Sequence, residues 1–175
     1  MSEGLKDYFS AGEWKEFLFN LSKLLNLSVC NFILSWDEKI QKTINENPLC
    51  IKIREKEEGL KLCNRMYEEH LQKIKGNNTP QIFYCHASLA RVLMPVNFQD
   101  SRFVMIMCGL RCKIKPRVDW KVMENIIPRD DFLKLFKKLP YIPYKKVSLS
   151  VDTLHFLFKN IIELLLIKEN LKKLI

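Results

Sequence analysis

The sequence predicts an α+β domain in which helices cover a small antiparallel sheet. Three observations lead there. Apolar residues recur at intervals of three and four in two stretches, residues 11–26 and 59–75, as on one face of a helix. Between residues 81 and 114 come three strand-like segments, with Gln99-Asp100-Ser101 suited to a hairpin turn between the last two. A further helical stripe then runs to residue 175. Helix, strand, helices, antiparallel strands, helix and helix is the order of a sheet overlaid by helices.

Taken in order, Trp14, Phe17, Leu18, Leu21, Leu24 and Leu25 mark the first helix, and SVCNFILS (28–35) reads as a strand. Asn47-Pro48 opens a short helix, because proline suits a first-turn position. Leu60, Cys63, Met66, Tyr67, His70, Leu71 and Ile74 share one face of the next helix, which GNNTP (76–80) stops. The three strands are placed at 81–85, 91–98 and 103–114. Asp131 is expected to cap a short helix through Lys138, and LPYIPY (139–144) to form a proline-pinned loop. The last helix is expected to start at Ser150 or Asp152. Its Leu157, Ile161, Leu164, Leu171 and Ile175 form a seam fitted equally to a partner helix or to the domain's own core. The chain therefore divides into a domain over 1–149 and a signalling or dimerisation helix over 150–175.

Of the 175 residues 47 % are apolar, enough for a packed core. The first residues lack the apolar run of a secretory signal, and IIELLLI (161–167) is too short to span a bilayer. These features predict a soluble cytoplasmic protein whose six cysteines are thiols. The formal net charge of +9 favours anionic surfaces in general, and is read mainly as a solvated lysine-rich surface. A basic adaptor that binds nucleic acid or a protein without any small ligand is the alternative function. Arg111, Lys113, Lys115 and Arg117 alternate along the last strand, as cations that guard a sheet edge do. Cys108 and Cys112 are expected on one face of that strand. No glycine-rich phosphate loop or oriented nucleophile–base pair is present, which argues against an enzyme.

The distinctive residues are CIKIREKEEGLKLC (50–63) and YCHASL (84–89). Together with MPV at 94–96, FVMIMCGL (103–110), LPYIPY and the long closing helix, they resemble the PocR-type sensory domain over about residues 13–174. The resemblance implies a PAS-like fold, an antiparallel sheet flanked by helices that enclose a small pocket. It implies a cytoplasmic input module of transcription regulators, histidine kinases or cyclases, sensing small alcohols or diols. Where the family has Cys-His-Ala-Gly-Leu this chain has Ser88, and where the family has Gly-Gln it has Gly109-Leu110; if that glutamine helps bind a polar ligand, the resemblance implies a changed specificity or a lost ligand.

The matched positions Cys50, Cys63, Cys85 and His86 would suit zinc or an iron–sulfur cluster, with His70 as a substitute fourth ligand. The alternatives are a soft pocket lining or plain packing. Adjacent Cys85 and His86 reach one site only if the strand ends there. Arg54, Tyr67, Phe83, His86, Ser88, Met94 and Met105 are the candidate ligand-binding residues. The expected partners are a small-molecule ligand, a second copy docked through the C-terminal helix, and a downstream signalling partner. Neither membrane nor nucleic acid is expected.

Overall fold

The computed structural model describes residues 16, 19–20, 31–34, 47–98 and 101–172. The predicted helix at 11–26 lies almost wholly outside the described residues. Among the described residues nine elements are delimited, in order β1 (Asn31–Leu34), α1 (Pro48–Arg54), α2 (Glu57–Ile74), β2 (Gln81–Tyr84), β3 (Ala90–Phe98), β4 (Ser101–Leu110), α3 (Trp120–Met123), α4 (Arg129–Lys138) and α5 (Tyr144–Lys172). The four strands form one antiparallel sheet in the order β1-β4-β3-β2. This is the predicted α+β class. Among the described residues, no helix is long and apolar enough to cross a membrane.

Strand parity distributes the core. Ala90, Val92, Met94 and Met107 point to one face and pack with Val147, Val151, Leu154 and Phe158 of α5. Leu93, Val104 and Ile106 point to the other and pack with Tyr67 and Ile74 of α2. A third cluster joins α1, α3 and α4 around Leu49, Ile53, Phe132 and Phe136, with Ala87 and Leu89 of the β2–β3 connection.

One residue breaks the parity. Ala90 pairs with Leu110 but Arg91 pairs with Cys108, so Gly109 is an extra residue in β4. Its φ of +85° is the left-handed conformation that glycine adopts freely in such a bulge. Cys108 and Cys112 were expected on one face. Because the bulge inverts the alternation between them, Cys108 faces the α2 side and Cys112 joins the α5 core.

Asn47 locks onto this bulge. Its side-chain oxygen caps α1 by accepting the Cys50 N–H at 2.7 Å, and its Nδ2 donates to the Gly109 carbonyl at 3.1 Å. The predicted start at Asn47-Pro48 is therefore correct, with Pro48 in the first turn. A side chain on Gly109 would collide with the Asn47 amide.

Four other expectations are corrected. β4 ends at Leu110, not at residue 114, because the Arg111 guanidinium turns back on the C-terminal end of α4. It donates to the carbonyls of Lys137 at 3.0 Å and Leu139 at 3.1 Å, and stacks on Phe136 with 5.1 Å to the ring centroid. Lys113 lies 3.9 Å from the ring centroid of Tyr84, so the four cations make no strand-edge stripe. Asp131 lies in the first turn of α4, where its charge complements the helix dipole, and Pro128 is the capping residue. α5 begins at Tyr144, six residues before the predicted start, because Val147 and Val151 extend the buried stripe toward the helix start.

Removing the Asn47 side chain should therefore undo two elements at once. Asn47→Ala is expected to lower stability by about 2–4 kcal/mol, from the lost cap and the stranded Gly109 carbonyl. Urea denaturation measures it, and Gly109→Ala should be at least as damaging because strain and collision act together.

Candidate functional site

A small cavity lies where α1 and α2 meet the sheet beside the bulge. It is lined by Cys50, Ile53 and Arg54 of α1, Cys63 and Tyr67 of α2, the turn Cys85–Ala87, and Ala90, Arg91, Ile106, Cys108 and Gly109 of the sheet. About 40 Å³ is open to water centres, enough for about three waters or an organic molecule of four or five heavy atoms.

Local structure explains the assembly. β2 ends at Tyr84, and residues 85–88 form a turn closed by the Ser88 N–H to the Cys85 carbonyl at 2.8 Å. Strand alternation therefore does not separate Cys85 from His86, and both line the cavity. Ser88 itself is buried at φ +60°, the left-handed region, and its hydroxyl accepts the Arg117 N–H at 2.9 Å. A left-handed backbone at this position suits the glycine expected there. Gly59 lets the start of α2 approach the Ile53 carbonyl of α1, which holds the two helices together at the cavity wall.

Burial governs the electrostatics. Burial, and then the neighbouring Cys108, Cys85 and Cys63, push the Cys50 thiol well above its usual value. Burial lifts Cys63 to about 11, against a weaker downward pull from Arg91 and Arg54. Burial also lowers His86 to about 4, helped by Arg91 and Arg65, and lowers His70 to about 4, helped by Arg91 and Lys73. At neutral pH the site thus holds protonated Cys50 and Cys63, the neutral imidazole of His86 and the guanidinium groups of Arg54 and Arg91. The His86 Nε2 stands 3.6 Å from the Cys63 sulfur, while its backbone N–H donates to the Met66 sulfur at 3.2 Å.

Of the candidate ligand-binding residues, the structure brings Arg54, Tyr67 and His86 together at the cavity. Phe83 stacks on His70 with 4.4 Å between ring centroids, Ser88 is engaged by Arg117, and Met94 packs toward α5. None of these three lines the cavity. The Met105 side chain lies outside the described ones. The proposed metal ligands Cys50, Cys63, Cys85 and His86 all line the cavity, with Cys108 as a fourth thiol. Yet among the described residues no three His, Cys, Asp or Glu side chains are placed to hold one metal ion.

Sequence reasoning missed Arg91. The signal was present: Arg91 is two residues from Leu93, so a cation shares the inward parity of a core strand.

A sheet closed by helices around a small internal cavity defines an α+β domain of PAS-like character. The family model described as the sensory domain found in PocR matches residues 7–166, and the chain belongs to that family. It is accordingly a sensory domain, of a family that is sensory rather than catalytic. No curated protein and no solved structure matches the chain.

Two outcomes follow from the charge states. The His86 value of about 4 lies below the 6.5 of an exposed histidine, so between these pH values the unfolded chain binds more protons. The stabilisation associated with neutral His86 is complete above pH 6.5 and is lost as pH falls toward 4. Urea denaturation at pH 7 and pH 4.5 should show a smaller acid loss for His86→Gln than for the unaltered chain. At pH 8, a Cys63 thiol at about 11 carries roughly 100-fold less thiolate than one at 9.0. Mass-resolved alkylation should label Cys63 far more slowly in the native protein than in urea.

Proposed function

We propose that this sensory domain binds a small oxygen-bearing organic molecule, of the size of a small alcohol or diol, in the α1–α2 cavity and reports it through α5. One observation carries the reading. The cavity-lining Tyr67 hydroxyl, His86 Nδ1 and Arg91 Nε and Nη1 are buried and have no hydrogen-bond partner among the described residues. Each such group costs about 1–3 kcal/mol when left unmade. A ligand that supplies partners recovers that free energy and gains apolar contact with Ile53, Ala87 and Ile106.

A short route joins cavity and helix. Cys108 and Gly109 line the cavity, while Leu110 and Cys112 pack against the α5 cluster. Displacement of the bulge by a ligand therefore bears directly on α5. Signalling requires that the ligand bind one arrangement of this segment better than the other.

α5 also has a second apolar face. At about 100° per residue, Leu149, Phe156 and Ile167 lie opposite the buried Val147, Val151, Leu154 and Phe158, with Leu164 on the adjoining flank. Phe156 is 66 % and Leu164 65 % exposed. The reading places a second copy of the chain along this face; of the predicted seam residues, Leu157 and Leu164 are exposed on its flank. The basic adaptor gains no support, since Arg111 and Lys113 fold back onto the domain.

Calorimetry against alcohols, diols and short acids of up to about five heavy atoms tests the cavity. Binding is expected in the unaltered domain and at least about tenfold weaker in Ala87→Leu, which fills the space; equal affinity in both removes the cavity from the reading. For the helix, light scattering should report a dimer that becomes a monomer in Phe156→Glu/Leu164→Glu. A persistent dimer would place the contact elsewhere.

A further inference from the structure

The chemistry around Arg91 narrows the ligand class. Arg91 is only 8 % exposed, on an inward position of β3, and lines the cavity. Its Nε and Nη1 have no hydrogen-bond partner among the described residues. The neighbour that it does have is a ring: its guanidinium carbon stands 5.9 Å from the centroid of Tyr67. Arg54 brings a second guanidinium to the same cavity. No aspartate or glutamate is among the lining residues.

A guanidinium keeps its proton at any ordinary pH, so burial cannot neutralise it as it neutralises His86. A buried charge without a counter-charge is strongly unfavourable, and the lining supplies no anion of its own. The Tyr67 hydroxyl, also buried and unpartnered among the described residues, adds a neutral donor beside the same cation. The rest of the wall is Ile53, Ala87, Ala90, Ile106 and the sulfurs of Cys50, Cys63, Cys85 and Cys108. Charge and donors thus gather around Arg91 and Tyr67, while the remaining wall is largely apolar and soft.

We propose that the cavity takes a short-chain monocarboxylate, its carboxylate at Arg91 and the Tyr67 hydroxyl, its alkyl end among Ile53, Ala87, Ile106 and the cysteine sulfurs. The inference rests on the cavity being the sensor's ligand site and specifies what that site selects. A carboxylate supplies the missing charge and accepts from several donors at once. The cavity volume of about 40 Å³ suits a chain of two or three carbons.

The test compares isosteres on the full chain by calorimetry: acetate, propionate and lactate against propionamide and propane-1,2-diol, with inorganic phosphate alongside. At least one carboxylate is expected to bind, about tenfold or more tighter than the amide or the diol, and to weaken about 100-fold in Arg91→Met and several-fold in Tyr67→Phe. Arg91→Met is used once circular dichroism shows it folded; the propionate–propionamide comparison needs no variant. An amide or diol that binds as tightly as the acids overturns the carboxylate while leaving the sensor cavity standing. Phosphate binding with inert carboxylates also overturns it, as does a folded Arg91→Met that binds propionate normally. Failure of every compound removes both this inference and the ligand reading on which it rests.

Discussion

Asn47 makes two hydrogen bonds on which the cavity depends. One caps α1 and fixes where Cys50, Ile53 and Arg54 stand; the other holds the carbonyl of Gly109 and fixes the helix against the sheet. Asn47 is itself fully buried, so both bonds are made away from water, where a lost partner is not replaced by solvent. The cavity opens beside this junction because a bulged strand cannot pack flush against a helix. Its other walls follow from simple local events: a strand that stops at Tyr84, a turn that presents Cys85 and His86 together, and a glycine at 59 that lets α2 close on α1.

The bulge has a second effect. In an uninterrupted strand, Cys108, Leu110 and Cys112 would share one face. With Gly109 inserted, Cys108 lines the cavity on the α2 side, while Leu110 and Cys112 pack against α5. Leu110, which stands where the resembling family carries glutamine, lies in the α5 core and not in the cavity. Arg91, on the neighbouring strand and directly across from Cys108 in the register, brings a buried cation to the cavity.

Periodicity made much of the fold legible. The 3–4 spacing of Leu60 to Ile74 placed α2 to within two residues, and Asn47-Pro48 placed the start of α1. What local pattern could not reveal was a change of period and a tertiary contact. The extended reading of residues 103–114 assumed unbroken alternation, but a lone glycine and an arginine anchored on α4 ended the strand at Leu110. Asp131 looked like a cap because acids favour both the cap and the first turn. The site divided in the same way: Cys50 and Arg54 on α1, Cys63 and Tyr67 on α2, and Cys85 and His86 in the turn after β2 converge where the two helices meet the sheet. Phe83, Ser88 and Met94 do not, because the sheet register and the 85–88 turn send them elsewhere. Arg91 escaped notice because a cation opening a strand looks like an edge residue until the facing helix is known.

The early start of α5 has a mechanical consequence. Its buried anchors, among the side chains described, run from Val147 to Phe158, while the helix continues to Lys172. Fourteen residues beyond the last anchor extend about 21 Å at 1.5 Å per residue. A tilt of about 5° about Phe158 would move a point about 21 Å along the axis by about 2 Å. On the proposed signalling route, a change small enough to leave the packing around Leu110 and Cys112 intact would thus reach Lys172 as a displacement comparable to the size of a side-chain contact.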